Sequence, residues 1–167
     1  MKIVRYFFIA VMLCCSCFAE AFLDTDVLTH VQSELSLSGV LESSGRFVYV
    51  KVDDDYVHKL VAIIEKEGFV EPPYFGSSDL VGAHISVIYP DEVQMYGIGE
   101  IEERGKVISF IPKECKVVHP PMWKGIDEVY LLVVEAPELE QIRAKYGLPK
   151  QKYDFHITIG VKPKAAA

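Results

Sequence analysis

The chain has 167 residues, half of them hydrophobic, with 17 basic and 24 acidic side chains and a formal net charge of −7. That length fits one well-packed domain, and the acidic balance excludes a general nucleic-acid coat protein. The charge is uneven: residues 22–103 carry 4 basic and 16 acidic groups, whereas residues 104–167 carry 11 and 7, so the second half has the means to present a local positive surface to a phosphate.

The first stretch is unlike the rest. Lys2 and Arg5 precede an apolar run from Tyr6 to Phe18, followed by Ala19-Glu20-Ala21. A charged start, a short apolar run and an A-x-A-like site read as a signal peptide over residues 1–21, cut after Ala19 or Ala21. The run is shorter than the roughly 20 apolar residues a membrane span needs, so no stable span is expected after cleavage and the product is periplasmic or secreted. Cleavage removes Lys2, Arg5 and Glu20, which leaves 15 basic and 23 acidic groups, a net of −8. Of the four cysteines, Cys14, Cys15 and Cys17 lie in this leader. Cys115 then has no internal disulfide partner and reads as a buried apolar residue.

Residues 22–45 read as an N-terminal extension or linker. It holds a short helix over Val27–Leu37, capped by Asp24 or Thr25, and then a loop rich in Ser and Gly. Arg46–Val52 is β-branched and aromatic and predicts the first core strand. Asp53-Asp54-Asp55 supplies a cap and an acidic first turn. Tyr56, Leu60, Val61 and Ile64 follow at helical spacing, and Gly68 closes the helix. Val70–Val81 reads as a loop, Ala83–Tyr89 as a strand ended by Pro90, and Asp91-Glu92 as the start of a short helix or turn. Lys106–Val118 is extended, with Pro112 marking a bulge or edge. His119–Gly125 is a turn and Glu128–Val134 an apolar strand. Pro137 to Tyr146 is a helix stopped by Gly147, and Asp154–Lys162 is a final strand before a tail over 163–167.

Two of these strands share a pattern. His84-Ile85-Ser86-Val87 and His156-Ile157-Thr158-Ile159 both read His-apolar-hydroxyl-apolar and start 72 residues apart. With period 2, each sets an imidazole and a hydroxyl roughly 6–7 Å apart on one face and its aliphatic residues in the core. The same parity continues to Lys162, whose ammonium would join that face. Two such strands facing one cleft provide an acid, a base and two hydroxyl donors, a set suited to in-line attack on a phosphodiester. Tyr89 falls on the opposite parity. Tyr74, Phe75 and Trp123 lie in loops that could stack on a base. The paired histidines have no third and fourth ligand at zinc spacing, so no metal and no cofactor are expected. No Ser sits in a nucleophile-elbow context either.

At these two motifs the sequence resembles the two-histidine phosphoesterase superfamily over roughly Arg46 to Lys162. The resemblance implies an α+β, bilobal fold over residues 46–162, with two antiparallel sheets and flanking helices around a central cleft. It implies His84 and His156 as the acid/base pair and Ser86, Thr158 and Lys162 as substrate-binding groups. The activity expected is opening of 2′,3′-cyclic phosphates on nucleotides or RNA ends by a monomer. A non-catalytic module for RNA ends or phosphorylated ligands, and an RNA 2′,5′-ligase-like activity, are the alternatives.

Overall fold

The computed structural model describes residues 23–73, 75 and 81–165. The expected signal peptide and Tyr74 lie outside the described residues. Among those described, no helix is long and apolar enough to cross a membrane. A helix runs through residues 23–34 (α1). It is followed by β1 (Ser38–Ser44), β2 (Phe47–Lys51), α2 (Asp55–Ile64) with a 3-10 turn at Glu65–Glu67, β3 (His84–Ile88) and α3 (Pro90–Tyr96). Then come β4 (Val107–Ser109), β5 (Ile111–Val118), β6 (Ile126–Glu135), α4 (Pro137–Lys145) and β7 (His156–Pro163).

The architecture is α+β, but the two separate sheets expected from sequence are one. The seven strands form a single antiparallel sheet in the order β4-β1-β2-β3-β7-β6-β5. A four-stranded and a three-stranded half meet at β3 and β7, and that seam is a single residue pair, Ile85 with Ile157. Beyond it the strands part for a visible reason. The N–H and C=O of Val161 on β7 bond Val70 at 2.9 and 2.8 Å, so this stretch of β7 has its backbone groups satisfied without β3. The carbonyl of Val87 on β3 instead accepts a hydrogen bond from Arg143 of α4 at 2.6 Å.

The helices are exchanged across the seam. α2, which connects the strands of the first half, packs on β7, and a Cβ at Gly160 would stand 2.9 Å from Ile64 Cδ1. α4, which connects the strands of the second half, packs on β3 and β4. The core lies between these helices and one sheet face, where Tyr56, Leu60, Ile64, Ile85, Ile157 and Leu139 are fully buried. Removing that much apolar surface from water is the main term that holds the two halves as one body.

Residues 36–45 were expected to be a loop, yet Ser38–Ser44 forms β1, between β2 and β4. Its serines hid an inward-facing Leu41, and Gly39 is a packing requirement rather than a hinge. A Cβ there would lie 2.4 Å from the Lys51 carbonyl oxygen. The helix before it buries Val27 and Val31, and Asp24 accepts a hydrogen bond from the Tyr130 hydroxyl at 2.5 Å rather than serving only as a cap. Cys115 is buried, and burial pushes its thiol up to about 11.

Both strands that carry the repeated motif bulge just after the hydroxyl. Tyr49 opposes Ser86 but Val48 opposes Ile88, so Val87 is the extra residue on β3. Leu131 opposes Thr158 but Tyr130 opposes Gly160, so Ile159 is the extra residue on β7. A bulge reverses the parity of everything beyond it.

Arg143 is 1% exposed and also donates to both carboxylate oxygens of Glu92, at 2.7 and 3.1 Å, and to the Pro149 carbonyl. The Arg143 hydrogen bond holds the Glu92 carboxyl below the usual range against the effect of partial burial. Such a group adds stability above its unfolded pKa and loses it as pH falls through the lower folded value. Arg143→Ala is therefore expected to cost about 3–5 kcal/mol in urea unfolding at pH 7. Wild-type stability should also drop below about pH 4.5 more steeply than that of the variant.

Candidate active site

The geometry of the candidate site begins with the Ile85–Ile157 pair. In an antiparallel register it sets His84 opposite Thr158 and Ser86 opposite His156. All four side chains are half-buried and lie on the sheet face away from the helices, because Ile85 and Ile157 between them are in the core. The two imidazoles are thus diagonal neighbours, with Cβ atoms about 7–8 Å apart. Their charges interact: protonated His156 works against a proton on His84.

Each imidazole is held in the same way. His84 Nδ1 bonds the Gly82 carbonyl at 2.7 Å, and His156 Nδ1 bonds the Asp154 carbonyl at 2.8 Å. A carbonyl only accepts, so Nδ1 carries the proton in both rings, and Nε2 is the nitrogen left to exchange protons with a ligand. Gly82 has φ 68, and a Cβ there would stand 2.3 Å from Lys51 Nζ and 2.6 Å from Asp54 Oδ1. A side chain at 82 would be strained by this left-handed conformation and would displace the ends of the Lys51 and Asp54 side chains. Asp54 Oδ1 fixes the same corner, accepting from Lys51 Nζ at 2.6 Å and from the Ala83 N–H at 3.0 Å.

The bulges decide which neighbours join. Lys162, expected on the face of His156 and Thr158, opposes Glu128 on the helix side of the sheet. There its ammonium pairs with the Glu128 carboxylate at 3.2 Å and lies 5.6 Å from the centre of the Phe69 ring. The extra residue Ile159 turned it away. On β3 the opposite happens. Tyr89, which regular alternation points away, reaches the open face past Val87, stacks with Phe47 at 6.2 Å and lines the groove that holds His156 and Thr158.

Lys51 is the cation that sequence reasoning missed. It opposes His84 across β2–β3, and its charge acts on that imidazole. The signal was available in the alternation Phe47, Tyr49, Lys51, which sets all three on one face of β2. Phe47 and Tyr49 indeed contact the His84 ring edge-on at 5.5 and 5.9 Å. Trp123 lines the groove beside His156, whereas Phe75 packs against His58 at 4.9 Å. Among the described residues, His119, Asp127 and Glu128 bring one possible metal-ligand atom each within 4.8 Å of one another. That trio excludes both motif histidines. His119 Nδ1 in it already bonds the Asp127 carbonyl, and Glu128 pairs with Lys162.

Burial, then the charges of His156 and Lys51, push His84 below the usual imidazole range, against the pull of the Gly82 hydrogen bond. His84 is therefore neutral at pH 7 and fit to accept a proton. In an NMR titration its midpoint should fall below 6.5. His156→Gln should raise that midpoint only part of the way back, since burial is the larger cause.

A family model described as the Swiss Army Knife 2H phosphoesterase domain matches residues 48–167. No curated protein and no solved structure matches the chain. The matched span contains both His-apolar-hydroxyl-apolar strands, the seam between them and both exchanged helices, and on that match the chain belongs to the 2H phosphoesterase family.

Proposed function

We propose that this protein is a metal-independent phosphodiesterase that opens 2′,3′-cyclic phosphates by proton transfer between His84 and His156. The family match supports phosphodiesterase chemistry in general. The observation that carries the finer reading is the pair of imidazoles on adjacent strands, each with Nδ1 tied to a carbonyl and Nε2 available. His84, neutral at pH 7, takes the proton of the attacking water as the water oxygen bonds phosphorus. His156 in its protonated form gives Nε2–H to the ribose oxygen as its bond to phosphorus breaks. Ser86 and Thr158 donate to the non-bridging oxygens, and Lys51 faces the charge that builds there. Residues 1–21 direct export, and the mature enzyme acts outside the cytoplasm as a monomer. Its single buried cysteine is compatible with an oxidising compartment.

His84→Ala and His156→Ala should each reduce turnover of a 2′,3′-cyclic mononucleotide by about 10²–10⁴-fold with melting temperature preserved. Full activity in both variants would sink the reading. Lys162→Ala should change the rate little, since Lys162 lies on the other face, and EDTA should leave it unchanged. Restoration of an EDTA-inhibited rate by zinc would show a metal mechanism instead. Calorimetric binding of the cyclic nucleotide with no product after long incubation would identify a binding module.

A further inference from the structure

The Gly82 carbonyl that holds His84 Nδ1 and the N–H of Ala83 are the two ends of one peptide group. A trans peptide is planar, with C=O and N–H pointing in opposite directions, so its orientation decides both contacts at once. On one side His84 Nδ1 donates to the carbonyl at 2.7 Å, and on the other Asp54 Oδ1 accepts from the N–H at 3.0 Å. Carboxylate, peptide and imidazole thus form one line. Gly82, before that peptide, has φ 68 and the backbone freedom of a glycine. A peptide turned over at this point would present the Ala83 N–H to the ring in place of a carbonyl. Nδ1 would then have to accept, and the proton would sit on Nε2. The nitrogen left for a ligand could no longer take a proton.

The Asp54 side chain opposes that turn. Asp54 is the N-cap of α2, where an Asp ordinarily bonds the free N–H groups of its own helix, yet it makes no such bond. It reaches instead to the 82–83 peptide and to Lys51 Nζ, which holds the same oxygen at 2.6 Å from β2. Partial burial works to raise the Asp54 carboxyl, but the hydrogen bonds from Lys51 and Ala83 outweigh it and hold it below the usual range. The group is therefore an ionised acceptor at pH 7. His156 has no counterpart. Its Nδ1 bonds the Asp154 carbonyl at 2.8 Å, but among the described residues no side chain bonds the Phe155 N–H at the other end of that peptide.

We infer that Asp54 is a positioning residue that sets the tautomer of His84 through the 82–83 peptide. It acts through the backbone and selects the peptide orientation that leaves Nε2 free to accept. The tautomer belongs to the folded protein whatever its substrate; only the effect on rate rests on the reaction proposed above.

Long-range proton–nitrogen NMR of the imidazoles reads the tautomer directly, at about pH 8, above the ordinary histidine range. In the wild type both His84 and His156 should carry the proton on Nδ1. Asp54→Ser keeps a good N-cap residue but is too short to reach the peptide. It should move His84 toward the Nε2–H form and leave His156 as it was. Asp54→Ala should do the same, with thermal melting to check that both variants fold. Asp54→Asn, whose amide oxygen accepts as the carboxylate does, should restore the Nδ1–H form. Asp53→Ala, which removes the neighbouring carboxylate, should change nothing. With a 2′,3′-cyclic mononucleotide, kcat of the Ser and Ala variants should fall about tenfold with KM little changed, and the Asn variant should keep most of the rate. A His84 ring that stays Nδ1–H in both the Ser and the Ala variant overturns the inference. So does an equal change at His156, which would mean a general loosening of the sheet. If the tautomer responds but the wild type opens no 2′,3′-cyclic phosphate, the positioning role stands and the proposed reaction fails.

Discussion

Everything at the site depends on how two half-sheets are held across a seam one residue pair wide. The Ile85–Ile157 pair is too slight to fix an angle, and the guanidinium of Arg143 does much of that work. From α4 in the second half it reaches the Val87 carbonyl of β3, the Glu92 carboxylate of α3 and the Pro149 carbonyl. A planar fork with five donors can bridge three backbone segments in one plane, which a lysine could not. The ion that results is almost wholly buried, tolerable only because its donors find acceptors. The separation of His84 and His156 is thus set on the far side of the sheet from the chemistry.

The two halves repeat a device but use it differently. Each has a histidine tied back to the carbonyl two residues earlier, then a hydroxyl, then a bulge. In the first half the bulge brings Tyr89 to the open face, beside Phe47, Tyr49 and Lys51, and the crowding depresses the basicity of His84. In the second half the bulge sends Lys162 to a carboxylate on the other side, and the space beside His156 opens into an apolar groove. One half crowds its imidazole among aromatic rings and a cation; the other leaves room beside its own.

Most of the elements were legible because their periodicity was strong. Tyr56, Leu60 and Ile64 do line the buried face of α2, and His84, Ser86, His156 and Thr158 do share the open face of β3 and β7. Pro112 does coincide with a register shift in β5. What stayed hidden has physical causes. β1 was masked by its serines and by a glycine whose role is close approach. Tyr89 and Lys162 exchanged faces because a bulge is a property of pairing between strands, and alternation within one strand carries no trace of it. Lys51 was within reach of the same parity argument, but it matters only through its opposite number on β3. The merging of two expected sheets into one rests on a single opposed residue pair and on nothing local in sequence.

The exchange of helices across the seam bears on when the site comes into being. α2 finds its full partner only on β7, and β7 follows every other described element in chain order. His84 is therefore made early and waits, its strand unpaired on the seam side, until residues some 72 positions later arrive. Contacts of that sequence separation close slowly, after local structure has formed. A chain emerging N-terminus first does not bring the two imidazoles together before β7 has been made. The two imidazoles meet only when β7 pairs with β3, so docking of the last described strand and assembly of the candidate site are one event.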